Sequence, residues 1–258
     1  MKITLLGCGS SQGVPVIGNR WGTCDPNNIK NRRSRPSILI QDTTINILID
    51  MSPDVRTQLL DNNIDSIDKV LFTHQHYDHI GGIGELRTLS FLQNRRIDLY
   101  GTRPVLDILR KNWGYLFNAT STDEYGLYKP AAEPHEFTHG ASFTVGDLNV
   151  IPFSQDHGIC ETTGFRIGDF AYSTDVVHLS DESLSILAGV KVWIVDCLRN
   201  EPHPTHAHFD RTIKWIEYIK PDHAILTHMN FESDYETIRS KCPKGVEPGY
   251  DGMILNLI

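Results

Sequence analysis

The sequence predicts an α/β fold in which two β-sheets pack together with helices outside. Three observations carry that expectation. Strand-like and hairpin-like segments give way to helical ones, and the same order then runs a second time. The chain has 258 residues, enough to bury a substantial core. No internal repeat, low-complexity tract or interdomain linker interrupts it, so residues 1–258 are expected to form one domain.

Residues 2–6 (KITLL) read as a strand that ends at the Gly7/Gly9 loop. Residues 37–41 and 45–50 alternate like a hairpin around Asp42-Thr43-Thr44. Ser52-Pro53 opens a helix running to about Leu60, with proline early in its first turn. A short apolar strand at 69–72 leads directly into a histidine-rich run. Helix 86–92, strand 97–100 and helix 104–111 follow. Residues 113–135 mix Gly, Tyr, Thr and Pro without a period and read as a loop or lid. Strands then crowd at 142–145, 148–153, 163–167 and 170–173. The remainder alternates: helix 181–187, buried strand 190–195, helix 208–219, strand 224–226, helix 235–240 and a closing strand at 253–257.

Composition narrows the function classes. No stretch approaches the roughly 18 to 20 apolar residues that span a bilayer, and MKITLLGCGSSQGVP reads as a first strand rather than a signal peptide. The five cysteines (8, 24, 160, 197, 242) are scattered and form no CxxC pair, which suits a reducing, cytoplasmic compartment. The formal net charge of −8 disfavours a grip on long nucleic acid, which needs clustered Lys and Arg. A small anionic substrate remains compatible, because bound metal cations offset negative charge locally. A homodimer is the commonest assembly and is expected as a possibility.

The strongest signal is His74-x-His76-x-Asp78-His79, four potential ligands in six residues just after a strand. His and Asp suit Zn, Mn or Fe. His74 and His76 can face one ion, and Asp78 and His79, on the next bend, another. The plainer alternative is a polar loop that happens to contain histidine.

This run resembles the signature of the metallo-β-lactamase fold superfamily, and the resemblance extends from end to end. It implies a four-layer αββα sandwich with two divalent metal ions. It also implies that the remaining ligands sit singly at later strand ends. By that resemblance His157 is the third ligand of the first metal, Asp175 bridges both, and His228 completes the second. Asp156 is the nearest competitor of His157. His135, His139, His178, His203, His208 and His223 are expected to be surface or structural residues.

Asp196 ends VWIVD, and His206 lies in HPTHAHF before a helix. This pair resembles that of the phosphodiesterase branch, including transfer-RNA 3′-end processing endonucleases. There an acidic residue orients a histidine near the scissile phosphate. The resemblance implies catalytic roles for Asp78, Asp196 and His206, with His203 and His208 as rivals of His206. Gly7-Cys8-Gly9-Ser10-Ser11 offers backbone N–H groups for a phosphate oxygen, and Arg32, Arg33 and Arg35 suit bidentate phosphate contacts. A surface basic cluster and a structural turn are the plainer alternatives. Ser10, Ser11, Arg32, Arg33, Arg35 and His206 are thus the expected phosphate-binding set. The whole stretch 7–37 is similar to the subgroup of phosphoribosyl cyclic phosphodiesterases. Relatives with an extra structural zinc place several Cys in this loop, whereas only Cys24 stands here, so no third metal is expected.

The expected function is therefore hydrolysis of a small phosphodiester, of cyclic-nucleotide or phosphoribosyl type, with the phosphate-monoester product or a nucleoside monophosphate also binding. The alternatives are a thioester, lactone or β-lactam hydrolase on the same fold, and a non-catalytic nucleotide or metal sensor.

Overall fold

The computed structural model describes residues 1–118 and 129–257. The first half of the chain supplies β1 (Lys2–Gly7), β2 (Ser37–Gln41), β3 (Asn46–Ile49), β4 (Lys69–Leu71), β5 (Ile97–Gly101) and β6 (Ala132–Glu136). The second half supplies β7 (Phe143–Val145), β8 (Leu148–Asp156), β9 (Glu161–Ile167), β10 (Phe170–Ser173), β11 (Val192–Asp196), β12 (His223–Thr227) and β13 (Val246–Pro248). Strand β14 (Met253–Asn256) then returns to pair with β1. The two seven-stranded sheets have the orders β14-β1-β2-β3-β4-β5-β6 and β13-β12-β11-β10-β9-β8-β7. Each is mixed: antiparallel at one end and parallel at the other.

The two-residue period of the strands explains the layers. Ile38, Ile40, Ile47, Ile49 and Leu71 share one buried core with Phe153, Phe165, Tyr172 and Ile194 of the second sheet. Their alternates Leu39, Leu48 and Val70 lie in the other core, with Val55, Leu86 and Leu106. Those last three come from α1 (Val55–Asp61), α3 (Leu86–Gln93) and α4 (Arg103–Asn112), outside the first sheet. A short α2 (Tyr77–Ile80) lies within the histidine run. Helices α5 (Asp181–Leu187), α6 (Phe209–Ile219) and α7 (Tyr235–Lys241) belong to the second half, and Phe209, Ile216 and Ile219 of α6 join the first core.

Two strands depart from the sequence expectation. β6 lies in what reads as an irregular loop at 113–135, and β13 was not anticipated; both are sheet edges. Edge strands tolerate proline and polar residues, and Glu133-Pro134-His135 carries no apolar alternation to reveal one. Residues 119–128 of the expected lid lie outside the described residues. Among those described, no helix is long and apolar enough to cross a membrane.

Candidate metal centre and active site

The chemistry-bearing side chains collect where strands of both sheets end. β4 ends at Leu71, and the chain passes through Thr73 and His74 into α2, whose first turn carries Asp78 and His79. His74 and His79 are fully buried, Asp78 nearly so, and His76 is half-buried. From the second sheet come His157 after β8, Asp175 after β10 and His228 after β12. Two groups form: His74, His76, His157 and Asp175, and Asp78, His79, Asp175 and His228. Within each group the ligand atoms all lie within 4.8 Å of one another.

Asp175 joins the groups through different oxygens. Its Oδ1 lies 3.9 Å from His74 Nε2 and 3.7 Å from His157 Nε2. Its Oδ2 lies 3.1 Å from His79 Nε2 and 3.5 Å from His228 Nδ1. The backbone aims these groups by left-handed turns: φ is 54° at Asp175 and 59° at His228. A third such turn, φ 65°, places Asp50 at the end of β3. Non-glycine residues adopt that region at a cost, and they collect at functional sites.

Hydrogen bonds fix the imidazole tautomers. Asp50 Oδ2 accepts from His79 Nδ1 at 2.6 Å and from Thr73 Oγ1 at 2.8 Å, and Oδ1 accepts from Thr73 N at 2.8 Å. With its proton given to Asp50, Thr73 Oγ1 accepts from His74 Nδ1 at 3.0 Å. His157 Nδ1 donates to Thr205 O at 2.7 Å. Each ring thereby turns its Nε2, the atom a metal would take, toward Asp175. His74 Nε2 and His79 Nε2 are buried with no hydrogen-bond partner. Buried Nε2 atoms aimed at one point, each ring backed by a partner on the far nitrogen, are what a bound metal requires, so the residues present fit divalent ions.

Electrostatics agree. Burial would lower the pKa of His79, but Asp175, Asp78 and Asp50 raise it well above the ordinary value, so without a metal Nε2 holds a proton that a bound ion would displace. Burial raises the Asp175 carboxyl, yet His228 and His79 outweigh it and hold the group well below the usual range. Burial, with the charge of His79 beside it, holds His74 well below the usual imidazole value. The cluster thus concentrates carboxylate charge where a cation would sit.

Beside it lies a second device. Asp196 ends β11 with its side chain fully buried; Oδ2 accepts from Val176 N at 2.9 Å and pairs with His206 Nδ1 at 3.0 Å. His206 Nε2 stands 3.9 Å from Asp175 Oδ1. Burial alone would lower the His206 pKa; the charge of Asp196 and its hydrogen bond, with Asp175 and Asp78 behind them, push it up to about 9. Of the three candidate histidines in this loop, His206 is the one that meets Asp196. Asp156, the competitor of His157, spends Oδ1 on Gly158 N and is exposed.

The arginines of the expected phosphate-binding set gather in a groove whose lining does not include His206. Arg33 is 2 % exposed, and its guanidinium is spent on Asn230 O, Asn31 Oδ1 and Cys24 Sγ. Arg35 pairs with Asp54 at 2.8 Å, and exposed Arg32 lies over Trp21. Arg32, Arg33 and Arg35 nonetheless line one groove of about 500 Å³, and none of the ligand residues belongs to its lining. Three amides of the glycine loop are spent within the protein. Cys8 N donates to Asp251, Gly9 N to Ser34 O and Ser10 N to Met229 O. The last of these bonds ties the loop to the strand end that carries His228. Ser10 is buried there and Ser11 is exposed.

Two residues escape the sequence reading. Asp50 is hidden because a strand-end carboxylate after ILI gives no local sign that it will turn beneath the histidine run. His203, expected to be a surface or structural residue and a rival of His206, lies with its ring tilted against that of His206, 5.3 Å between centroids. Of the other remaining histidines, His135 pairs with Asp98, His139 with Thr163 and Glu161, and His223 with Glu247.

Comparison with known proteins places this geometry. A family model described as "Beta-lactamase superfamily domain" matches residues 45–229. An octanoyltransferase of Porphyromonas gingivalis is 33 % identical over 256 residues, 98 % of this chain but 51 % of that protein. The chain therefore spans about half the length of that relative. The crystal structure of a diphosphatase from the PhnP family superposes with TM-score 0.88 at 32 % identity, covering 98 % of this chain and 96 % of the other. Zn(2+)-bound PqqB from Methylobacterium extorquens shares the fold, with TM-score 0.77 at 19 % identity over the whole of both chains.

Proposed function

Because the chain belongs to the metallo-β-lactamase superfamily, we propose that it is a binuclear metal-dependent hydrolase that cleaves a small phosphodiester, of cyclic-nucleotide or phosphoribosyl type, and binds the phosphate-monoester product. The observation that carries the choice of bond is His206, held by Asp196 and reaching to 3.9 Å from the shared carboxylate Asp175. Since both sheets contribute ligands, residues 1–258 are read as one catalytic unit.

His74, His76, His157 and Asp175 would hold one ion, and Asp78, His79, His228 and Asp175 the other. Zinc or manganese suits these donors best, with iron a third choice. Such ions supply a nucleophilic water at neutral pH and stabilise charge on the phosphoryl oxygens. The chain's own residues do the rest. Asp50 and Thr73 hold the ring orientations. His206 enters protonated, hydrogen-bonds a phosphoryl or ester oxygen through Nε2, and gives that proton to the departing alkoxide. Asp196 keeps the imidazolium oriented and charged. A thioester or β-lactam reaction has no comparable need of this pair.

The likeness to a diphosphatase favours a second reading, cleavage of a diphosphate bond at the same centre. Its leaving group is a phosphate, which departs without a proton. The test is turnover by metal-loaded enzyme of bis(p-nitrophenyl) phosphate, a ribonucleoside cyclic phosphate, ADP, a thioester and nitrocefin. Diester turnover with negligible nitrocefin hydrolysis is expected. Efficient nitrocefin or thioester cleavage with intact phosphorus esters would reverse the assignment, and a sensor would turn over none of the five.

A further inference from the structure

We propose that His203 is a substrate-contacting specificity residue: its Nε2–H donates a hydrogen bond to the hydroxyl next to the phosphate ester, selecting a ribose-like group. The inference rests on the phosphodiester reading above and deepens it.

The tautomer follows from geometry. Thr205 N, which can only donate, points at His203 Nδ1 at 3.3 Å, and Thr205 Oγ1 lies 3.2 Å from the same nitrogen. An Nδ1 that accepts a backbone proton carries none of its own, so the ring is neutral and its proton sits on Nε2. Burial, the charge of His206 and that of Arg199 also lower its pKa, in the same direction. The ring is half-buried, and its centroid lies 5.3 Å from that of His206.

The loop that carries it is held from three sides. Arg199 binds Glu201 O and Pro202 O at one end. Thr205 O takes the His157 Nδ1 proton at the other. Gly158 allows the close approach between, since a Cβ there would meet Pro204 O at 2.6 Å. His203 is therefore a fixed donor rather than a mobile surface group. A neutral N–H suits a neutral acceptor. A second phosphate would call for a cation, and the nearby guanidinium of Arg199 is committed to Glu232 and to loop carbonyls.

The experiment is inhibition of bis(p-nitrophenyl) phosphate turnover by adenosine 3′-monophosphate and by its 2′-deoxy counterpart. Wild type, His203→Ala and His203→Gln are compared, with metal content and thermal midpoint as controls. One neutral hydrogen bond corresponds to roughly a tenfold preference for the ribo inhibitor. His203→Ala should erase that ratio by weakening the ribo inhibitor alone, and His203→Gln, which keeps an N–H donor, should restore part of it. No ribo preference in the wild type, equal weakening of both inhibitors in His203→Ala, or an unchanged ratio would each overturn the assignment while diester turnover stood. Absence of diester turnover in the wild type would instead bring down the parent reading.

Discussion

Replacing Asp196 by Asn tests the proton donor most directly. An ordinary imidazole titrates near 6.5, whereas His206 is pushed up to about 9 even though burial opposes it. That difference corresponds to a preference of roughly 3 kcal/mol for the imidazolium. Asp196 supplies the nearest charge and the only direct hydrogen bond among the causes, so it carries most of the effect. Bound dications oppose it, which places the titration in the loaded enzyme below that value. The sign follows. The donor must be protonated, so the rate on an alkyl-leaving-group diester is present below its pKa and falls as pH rises through it. In Asp196→Asn this alkaline limb moves to lower pH, and at fixed alkaline pH the loss is greatest. The assay is kcat/KM against pH on a ribonucleoside cyclic phosphate and on bis(p-nitrophenyl) phosphate. General-acid help amounts to about 10²- to 10⁴-fold on the first substrate, while p-nitrophenolate leaves unaided. His206→Ala should show the same split more strongly, with metal content unchanged. Equal losses on both substrates with an unmoved limb would refute the proton-donor argument and leave His206 as a binding group.

Protein purified without chelator should contain close to two first-row metal ions per chain, and Asp175→Ala should lose metal and activity together; a fully loaded, active Asp175→Ala enzyme would sink the shared-ligand assignment. Asp50→Ala strands the Nδ1 of His79 and the amide of Thr73, so metal titration should show affinity falling by about 10- to 100-fold at the site containing His79. Arg33→Ala should destabilise the fold by about 3 kcal/mol, since it empties a buried position and orphans its partners, whereas exposed Arg32→Ala should stay within about 0.5 kcal/mol; denaturant melts decide, and equal effects would contradict the buried placement. A thermal melt in EDTA should show a lower midpoint than in metal, because ions that bind only the folded state stabilise it by mass action.

The legible part of the site was the part compressed into six residues. His74, His76, Asp78 and His79 share one strand end and the start of α2, so local spacing alone suggests a shared centre. His157, Asp175 and His228 come from three other strand ends, and only the family resemblance pointed to them. The arginines show the opposite case. Side chains that look alike in NRRSR line one groove but take different partners from far along the chain: Asn230 O draws Arg33 inward, while Asp54 takes Arg35. The glycine loop reads as an anion cradle until Met229, Ser34 and Asp251 are seen to consume its amides. β6 and β13 stayed hidden because edge strands need no alternating apolar face.

The left-handed turns at Asp50, Asp175 and His228 set folding against function at three points. Glycine is the residue that this backbone region favours, and it carries no side chain to ligate or orient. In the metal-free protein a glycine at His228 would relax the turn and remove an imidazole whose charge burial opposes, so the most comfortable sequence for the backbone there is an inert one. A screen for thermal tolerance in chelator would drift toward such variants, while a screen for turnover would discard them.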